Sequence, residues 1–128
     1  MQRSNNMKKW RKVMNPDSAK VLIKATLNAA KALGLNKREL ATAIGMSVQQ
    51  LDKPDSAFQP GTEAGQRCLL LIRVHEALAS QLGHDQEQVG LWLRSHNSAI
   101  DEIPLVAIST QEGLIKVVAY LEHLLERG

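Results

Sequence analysis

The stretch from Leu91 to Gly113 constrains the fold more than any other part of this chain. Trp92 fits the apolar end of one helix, and the small polar residues Ser95-His96-Asn97 favour its termination and a turn. Pro104 is typical of the first position of a new one-turn helix, and Thr110 fits the N-cap of another. The stretch therefore predicts a helix, a tight corner, a single helical turn and a long closing helix.

The closing helix has one apolar face. Its apolar residues recur at helical spacing, at Leu114, Val117, Val118, Leu121, Leu124 and Leu125. The opposite face is predicted to carry Lys116, Tyr120, Glu122, His123 and Glu126. The stripe is expected to be buried, while the end of the chain, Arg127-Gly128, is expected to be free to reach into a partner.

The core is expected to be aliphatic, because aromatic residues make up 3% of the chain and hydrophobic residues 44%. This favours helices over a β-sandwich, so we predict an all-α fold. At 128 residues the chain has room for one compact domain or two small helical ones. Its one cysteine, Cys68, is expected to be a small core residue. No signal peptide and no apolar run near the ~20 residues that span a bilayer are present, so a cytoplasmic protein without a membrane partner is expected.

The charge is divided unevenly between the two halves of the chain. Residues 1–60 hold 11 Lys and Arg against 4 Asp and Glu, a net charge of +7, whereas residues 61–128 hold 5 against 9, a net charge of −4. The first half is thus expected to bind a polyanion and the second a neutral or basic surface. Residues 1–15 are basic around Trp10. They are expected to form either an arm that lies along phosphates or a solvated tail with Trp10 packed on the domain.

Residues 16–60 carry the signals of three helices. The first opens at Asn15-Pro16-Asp17 and ends before Gly34. Asn36-Lys37-Arg38-Glu39 reads as a capping box that begins the second, and Ser47 caps a short third helix to about Lys53. The apolar face of the first helix is predicted to comprise Val21, Leu22, Ala25, Leu27, Ala29, Ala32 and Leu33.

The second and third helices have the spacing of a helix-turn-helix. Ala41 is small where two helices must cross, Gly45 tolerates the positive φ of a turn, and Ile44, Val48 and Leu51 pack the pair. The segment resembles the Xre/Cro-type unit, in which the second helix enters the major groove of DNA.

Candidate DNA contacts follow from position on these helices. Gln pairs with adenine, Lys reaches guanine or phosphate, and a helix N-terminus favours phosphate. The candidates are Lys37, Arg38, Ser47, Gln49, Gln50 and Lys53. Two observations stand against them: many such units serve dimerisation only, and Asp52 would repel phosphates if it faced them.

The second half is predicted to begin near residue 61. The segment from Asp55 to Gly61, flanked by prolines, is the expected boundary between a helix-turn-helix domain at 16–60 and a helical domain at 61–128. Thr62 is expected to start a long central helix that ends at Gly83, and Asp85 to start the next one.

The second half also resembles a known family, the Xre/MbcA/ParS toxin-binding domain of bacterial antitoxins. The residues that carry the resemblance are, in order, Trp92-Leu93, Asn97, Ile100, Pro104, Ile108, Thr110, Gly113, Val117 and Leu121. The chain departs from the family pattern at His96, where Pro is usual, and at Asp101-Glu102, where a Gly turn is usual.

The resemblance implies a two-part antitoxin that represses its own promoter and sequesters a toxin, often a RES-domain enzyme that consumes NAD. A homodimer on operator DNA is expected from symmetry. By position at the end of the chain, the candidate toxin contacts are Tyr120, Glu122, His123, Glu126, Arg127 and Gly128.

Residues with catalytic or metal-binding spacing are not found. The chain has no Gly-rich phosphate loop, no G-x-S-x-G motif and no pair of cysteines, and its four histidines lack metal-ligand spacing. No enzymatic activity, cofactor or metal is therefore expected. Two further functions stay open: a stand-alone Cro-like repressor whose second half only dimerises, and an antitoxin whose helix-turn-helix no longer binds DNA.

Overall fold

The structure, a computed structural model, describes residues 16–53 and 58–127. Within these ranges the regular structure is helical, with no strand. The helices are α1 (Pro16–Leu33), α2 (Lys37–Ile44), α3 (Val48–Asp52), α4 (Glu63–Leu82), α5 (Gln86–Arg94), α6 (Pro104–Ala107) and α7 (Gln111–Arg127). The all-α prediction is confirmed, and the predicted arm, residues 1–15, lies outside the described residues.

Local capping signals begin the helices where the sequence predicts. Asn36 and Glu39 form the predicted capping box of α2, with Asn36 Oδ1 accepting from Glu39 N at 2.7 Å and Glu39 Oε1 accepting from Asn36 N at 3.0 Å. Thr62 and Asp85 cap α4 and α5 in the predicted way. Thr110 Oγ1 accepts from Gly113 N at 3.0 Å at the start of α7. Each of these caps is confirmed.

The corner between α5 and α6 is a tight turn. Asn97 Oδ1 accepts hydrogen bonds from the amides of Ala99 and Ile100 at 2.9 and 3.3 Å, and Asn97 N donates to the Glu102 carbonyl at 3.0 Å. Asp101, between them, has φ +57°, a left-handed conformation that is uncommon for a non-glycine residue. The predicted order of helix, corner, single turn and long helix is confirmed.

Helix α4, the predicted central helix of the second half, packs against α1 and α2 of the first half as well as against α5 and α7. One hydrophobic core joins residues from every helix. Phe58, at the boundary predicted between the two halves, is fully buried in this core. The two halves therefore share one interior, and each contributes side chains that the other covers.

Two helices bury a somewhat different face from the predicted one. On α1, Val21 and Leu27 are 68% and 44% exposed, whereas Ile23 and Thr26 are buried. On α7, the stripe is buried through Leu121, but Leu125 is 39% exposed. Tyr120, predicted on the polar face, packs partly against the core. The spacing of apolar residues marks a helix face only to within a residue or two, and the neighbouring helices decide the rest.

Candidate functional site

Helices α2 and α3 are joined by a short turn at Gly45. Gly45 has φ +73° and ψ +32°, and its amide donates to the carbonyls of Ala41 and Thr42 at the end of α2. Met46 N then donates to the Ala41 carbonyl at 2.9 Å. This is a left-handed helix end of the kind that glycine favours, and it turns the chain directly into α3.

Helix α3 is one and a half turns long and buries one side chain, Leu51. The predicted DNA contacts on and beside it are exposed, namely Ser47, Gln49, Gln50 and Lys53. The polar side chains are thus exposed, while Leu51 is buried and Val48 packs partly against the core.

Two of these side chains are bonded to each other in a second capping box. Ser47 Oγ accepts from Gln50 N at 3.2 Å, and Gln50 Oε1 accepts from Ser47 N at 2.8 Å. The Gln50 amide oxygen is therefore held at the helix start, which leaves its NH₂ group as the outward-facing donor. Within the described parts of the chain, the Gln49 side chain has no hydrogen-bond partner.

Asp52 does not stand alone on this face. Lys37 Nζ lies 2.7 Å from Asp52 Oδ1, and both side chains are more than half exposed. The ion pair joins the start of α2 to the end of α3 and neutralises the carboxylate that the sequence suggested would repel phosphates. Because the pair is exposed, it contributes little to stability, and the Lys37 ammonium, which has three N–H donors, can bond a second anion while it stays beside Asp52.

Arg38 is the predicted DNA contact that lines a groove outside α3. It lines a groove of about 290 Å³ between α2 and α6, together with Thr42, Ala43, Leu105 and Ile108. Among the described residues its side chain has no ion-pair or hydrogen-bond partner. Arg38 therefore lines a mainly apolar groove to which no residue of α3 contributes, whereas Lys37 beside it in the chain is paired with α3.

A buried arginine of the second half holds the α2–α3 turn in place. Arg67, on α4, is 9% exposed. Its Nε donates to the Ala43 carbonyl at 2.8 Å, and its Nη2 donates to the carbonyls of Thr42 at 3.1 Å and Ser109 at 3.0 Å. A cation is favourable against the carbonyl end of α2, where the helix dipole is negative. The guanidinium also packs on Gly45, where a Cβ atom would come within 2.6 Å of Arg67 Nη1.

A second link from the later part of the chain holds the start of α2. Arg94, at the end of α5, pairs with Glu39 through two hydrogen bonds of 3.0 and 3.2 Å and also donates to the Gly34 carbonyl at 3.3 Å. The hydrogen bond from Arg94 holds the pKa of Glu39 below its ordinary value. Both ends of α2 are thus held by arginines from residues 61–128. Nothing local in the sequence marks either arginine for this role, since each looks like an ordinary helix-surface cation.

The candidate toxin contacts lie at the end of α7 in different settings. Glu122 is paired with Arg73 of α4, and this hydrogen bond lowers the pKa of Glu122. His123 and Glu126 are exposed, and Tyr120 is half-buried. Arg127 is the last helical residue, and Gly128 lies outside the described residues. Of the predicted set, His123 and Glu126 are the side chains that the described structure leaves open to solvent.

Other kinds of site receive no support from the described ranges. They contain no group of three or more His, Cys, Asp and Glu side chains that could hold a metal ion. Cys68 is fully buried, and this burial raises the pKa of its thiol. Within the same ranges, every helix is too short or too polar to cross a membrane. Comparison of the sequence with protein-family models and with curated proteins finds no match.

Proposed function

We propose that this protein is an antitoxin that binds operator DNA through α2 and α3 and a toxin through the end of α7. The observation that carries the DNA-binding part is the outward face of α3, where Gln49, Gln50 and Lys53 surround one buried anchor. The resemblance of residues 92–121 to the Xre/MbcA/ParS domain supports the toxin-binding part.

In this proposal α2, the Gly45 turn and α3 act as a helix-turn-helix. Gln49 and the free NH₂ group of Gln50 contact base edges in the major groove. Lys53 and Lys37 contact phosphates. The ion pair between Lys37 and Asp52 supports this arrangement, because it keeps the carboxylate from opposing the polyanion.

The toxin-binding part rests on the other end of the molecule. Several residues that carry the resemblance to the Xre/MbcA/ParS domain are buried, among them Leu93, Ile108 and Val117. They support a likeness in fold. Contacts with a partner must come from exposed positions. His123, Glu126 and the terminal Arg127-Gly128 are the contacts we propose. The resemblance implies a RES-type, NAD-consuming toxin as the partner.

DNA binding is tested first by titrating the full chain with its own promoter region at 50 and 200 mM salt. A protein that makes about six phosphate contacts loses roughly three decades of affinity over this range. No binding at 50 mM salt, or binding that is equal on promoter and random DNA, would contradict operator recognition.

Toxin binding is tested separately by co-expression with the protein encoded next to this one. The full chain is expected to co-purify with that protein and to restore cellular NAD, whereas a chain that ends at Leu121 is expected to do neither. Circular dichroism must show that the shortened chain is folded. Failure of the full chain to capture or neutralise the neighbouring protein would contradict the antitoxin assignment.

One observation favours a second candidate, a stand-alone repressor. Arg67 and Arg94 hold both ends of α2, so residues 61–128 have a structural role in the DNA-binding unit without any toxin. Strong operator binding together with no capture of the neighbouring protein would favour this function.

A further inference from the structure

Helix α6 presents an apolar ridge to solvent. Val106 is 57% exposed and Ile103 36% exposed, and Leu105 beside them is half-buried. These three aliphatic residues lie within one helical turn. Single exposed aliphatic residues are ordinary, but several together on one short element indicate a surface that a partner covers.

On one side the ridge is flanked by a cation that has no partner among the described residues. The groove between α2 and α6 has an apolar floor of Ala43, Leu105 and Ile108, and Arg38 lies at its edge. Glu39 also lines this groove, but its carboxylate is neutralised by Arg94. The uncompensated charge on this side of α6 is therefore positive.

A free anion flanks the ridge on the other side. A second groove, between α6 and α7, is lined by Val106, Thr110 and Glu112. Glu102 and Lys116, which also line it, lie 3.9 Å apart and offset each other. Glu112 has no such partner among the described residues, so the uncompensated charge here is negative. Ile115, one turn further along α7 and 52% exposed, extends the apolar surface on the same helix face.

A surface of this kind is complementary to itself. When two identical surfaces meet about a twofold axis, each contact between residues i and j occurs twice. With the axis near Val106, the cation of one copy meets the anion of the other on both sides of an apolar centre. A polyanion would meet Glu112, and an acidic peptide would satisfy Arg38 only, so neither matches both flanks.

We infer that the α6 ridge is the contact surface for a second copy of this chain, with Val106 near the axis and Arg38 of each copy paired with Glu112 of the other. This interface stands independently of the proposed function, because it needs neither DNA nor a toxin. It also gives a role to Arg38, whose groove includes no residue of α3.

Reciprocal charge reversal tests the pairing. The full chain, without DNA, is measured by sedimentation equilibrium over a range of concentrations. Arg38→Glu and Glu112→Arg each place like charges opposite one another, so each is expected to weaken self-association by about tenfold or more. A mixture of the two single variants is expected to form a heterodimer near wild-type affinity, because both of its cross-contacts then join a Glu to an Arg. The double variant is expected to recover self-association for the same reason.

Hydrophobic variants provide an independent check of the ridge. Val106→Asp is expected to abolish self-association, whereas Val21→Asp, at a more exposed valine on α1, is expected to leave it unchanged. Circular dichroism confirms that each variant is folded. A wild-type chain that stays monomeric at the highest concentration, or single charge variants that associate as well as wild type, would overturn the inference. So would failure of the mixture to associate more tightly than each variant alone.

Discussion

Arg67 Nε donates a hydrogen bond to the carbonyl oxygen of Ala43 at 2.8 Å, across 24 residues of sequence. The acceptor belongs to the last turn of α2, next to the turn that leads into α3. The position of the candidate DNA-reading helix is therefore set by a side chain from the half of the protein that is proposed to bind the toxin.

Replacement of Arg67 tests this link. Arg67→Met keeps much of the side-chain volume but removes the donors to the carbonyls of Ala43, Thr42 and Ser109. Hydrogen bonds from a charged group contribute about 1.5–3 kcal/mol each, and water can reach some of the freed carbonyls. We expect the free energy of unfolding to fall by about 2–4 kcal/mol in urea titrations.

The matched control for Arg67 is Arg73→Met on the same helix. Arg73 is half-exposed and pairs with the partly exposed Glu122, so a much smaller loss is expected. Equal losses for the two variants would show that the buried hydrogen bonds are not the cause. Amide hydrogen exchange should also be compared between wild type and Arg67→Met. The variant should exchange faster at Gly45 and Met46, and this increase should be larger than any increase in the interior of α4.

Glycine at position 113 is required by packing. A Cβ atom there would lie 1.7 Å from the Ala107 carbonyl oxygen, at the crossing of α6 and α7. We expect Gly113→Ala to destabilise the fold by about 3 kcal/mol, because the backbone of α6 must move. Gly90→Ala on α5 is the control: a Cβ atom there meets nothing within 4 Å, and the change should stabilise the protein by about 0.5–1 kcal/mol. In thermal melts, the midpoint should fall for Gly113→Ala and rise for Gly90→Ala.

The ion pair between Glu39 and Arg94 makes stability depend on pH. The pKa of Glu39 in the folded protein lies below its ordinary value of about 4.5 because Arg94 donates to the carboxylate. The stabilisation is thus present above pH 4.5 and is lost as the pH falls through the folded-state pKa. Glu39→Gln retains the capping-box acceptor but not the charge, so it should lower stability at pH 7 by at most about 1 kcal/mol. The urea midpoints of wild type and Glu39→Gln should converge toward pH 3. A difference that stays constant with pH would show that the ion pair does not cause the loss of stability.

The two glutamines of α3 are expected to behave differently when each is changed to Ala. Gln49→Ala should leave stability nearly unchanged, because Gln49 is exposed and unbonded in the described structure. Gln50→Ala removes one capping hydrogen bond and should cost about 0.5–1 kcal/mol of stability. If both read bases, each should weaken operator binding by ~1–3 kcal/mol and binding to random DNA very little. An equal loss of affinity for operator and for random DNA would show that the substituted glutamine does not contact bases.

The Cys68 thiol is expected to be unreactive in the folded protein. It is fully buried, and burial raises its pKa, so little thiolate is available to a reagent. Labelling by a disulfide reagent at pH 8 should proceed only as fast as the protein opens and should become rapid in urea. Fast labelling without denaturant would show that α4 opens locally around this residue.

The start of each helix could be predicted because the signals are local. Asn36 and Glu39, or Thr110 and Gly113, meet within four residues whatever the rest of the chain does, so their types and spacing are sufficient. The corner at Asn97 was predicted for the same reason, although the positive φ of Asp101 was not.

Contacts between distant residues could not be predicted in this way. Arg67 reaches Ser109 across 42 residues, and no periodicity distinguishes it from Arg73 on the same helix. The exposed Val21 and Leu27 have a similar cause, because the position of α4 decides which apolar residues of α1 are buried. The candidate DNA face was predicted in outline, but the capping box of Gln50 and the position of Arg38 depend on the folded arrangement.

The arginines that hold α2 also impose an order on biosynthesis. Residues 16–53 leave the ribosome first, yet the side chains that fix both ends of α2 come from positions 67 and 94, and the last acceptor of Arg67 is at position 109. During translation the helix pair is expected to stay loosely docked until most of the chain has emerged. A nascent or prematurely terminated chain would then hold few firmly docked helix pairs, so the operator binding that we propose would be a property of completed molecules alone.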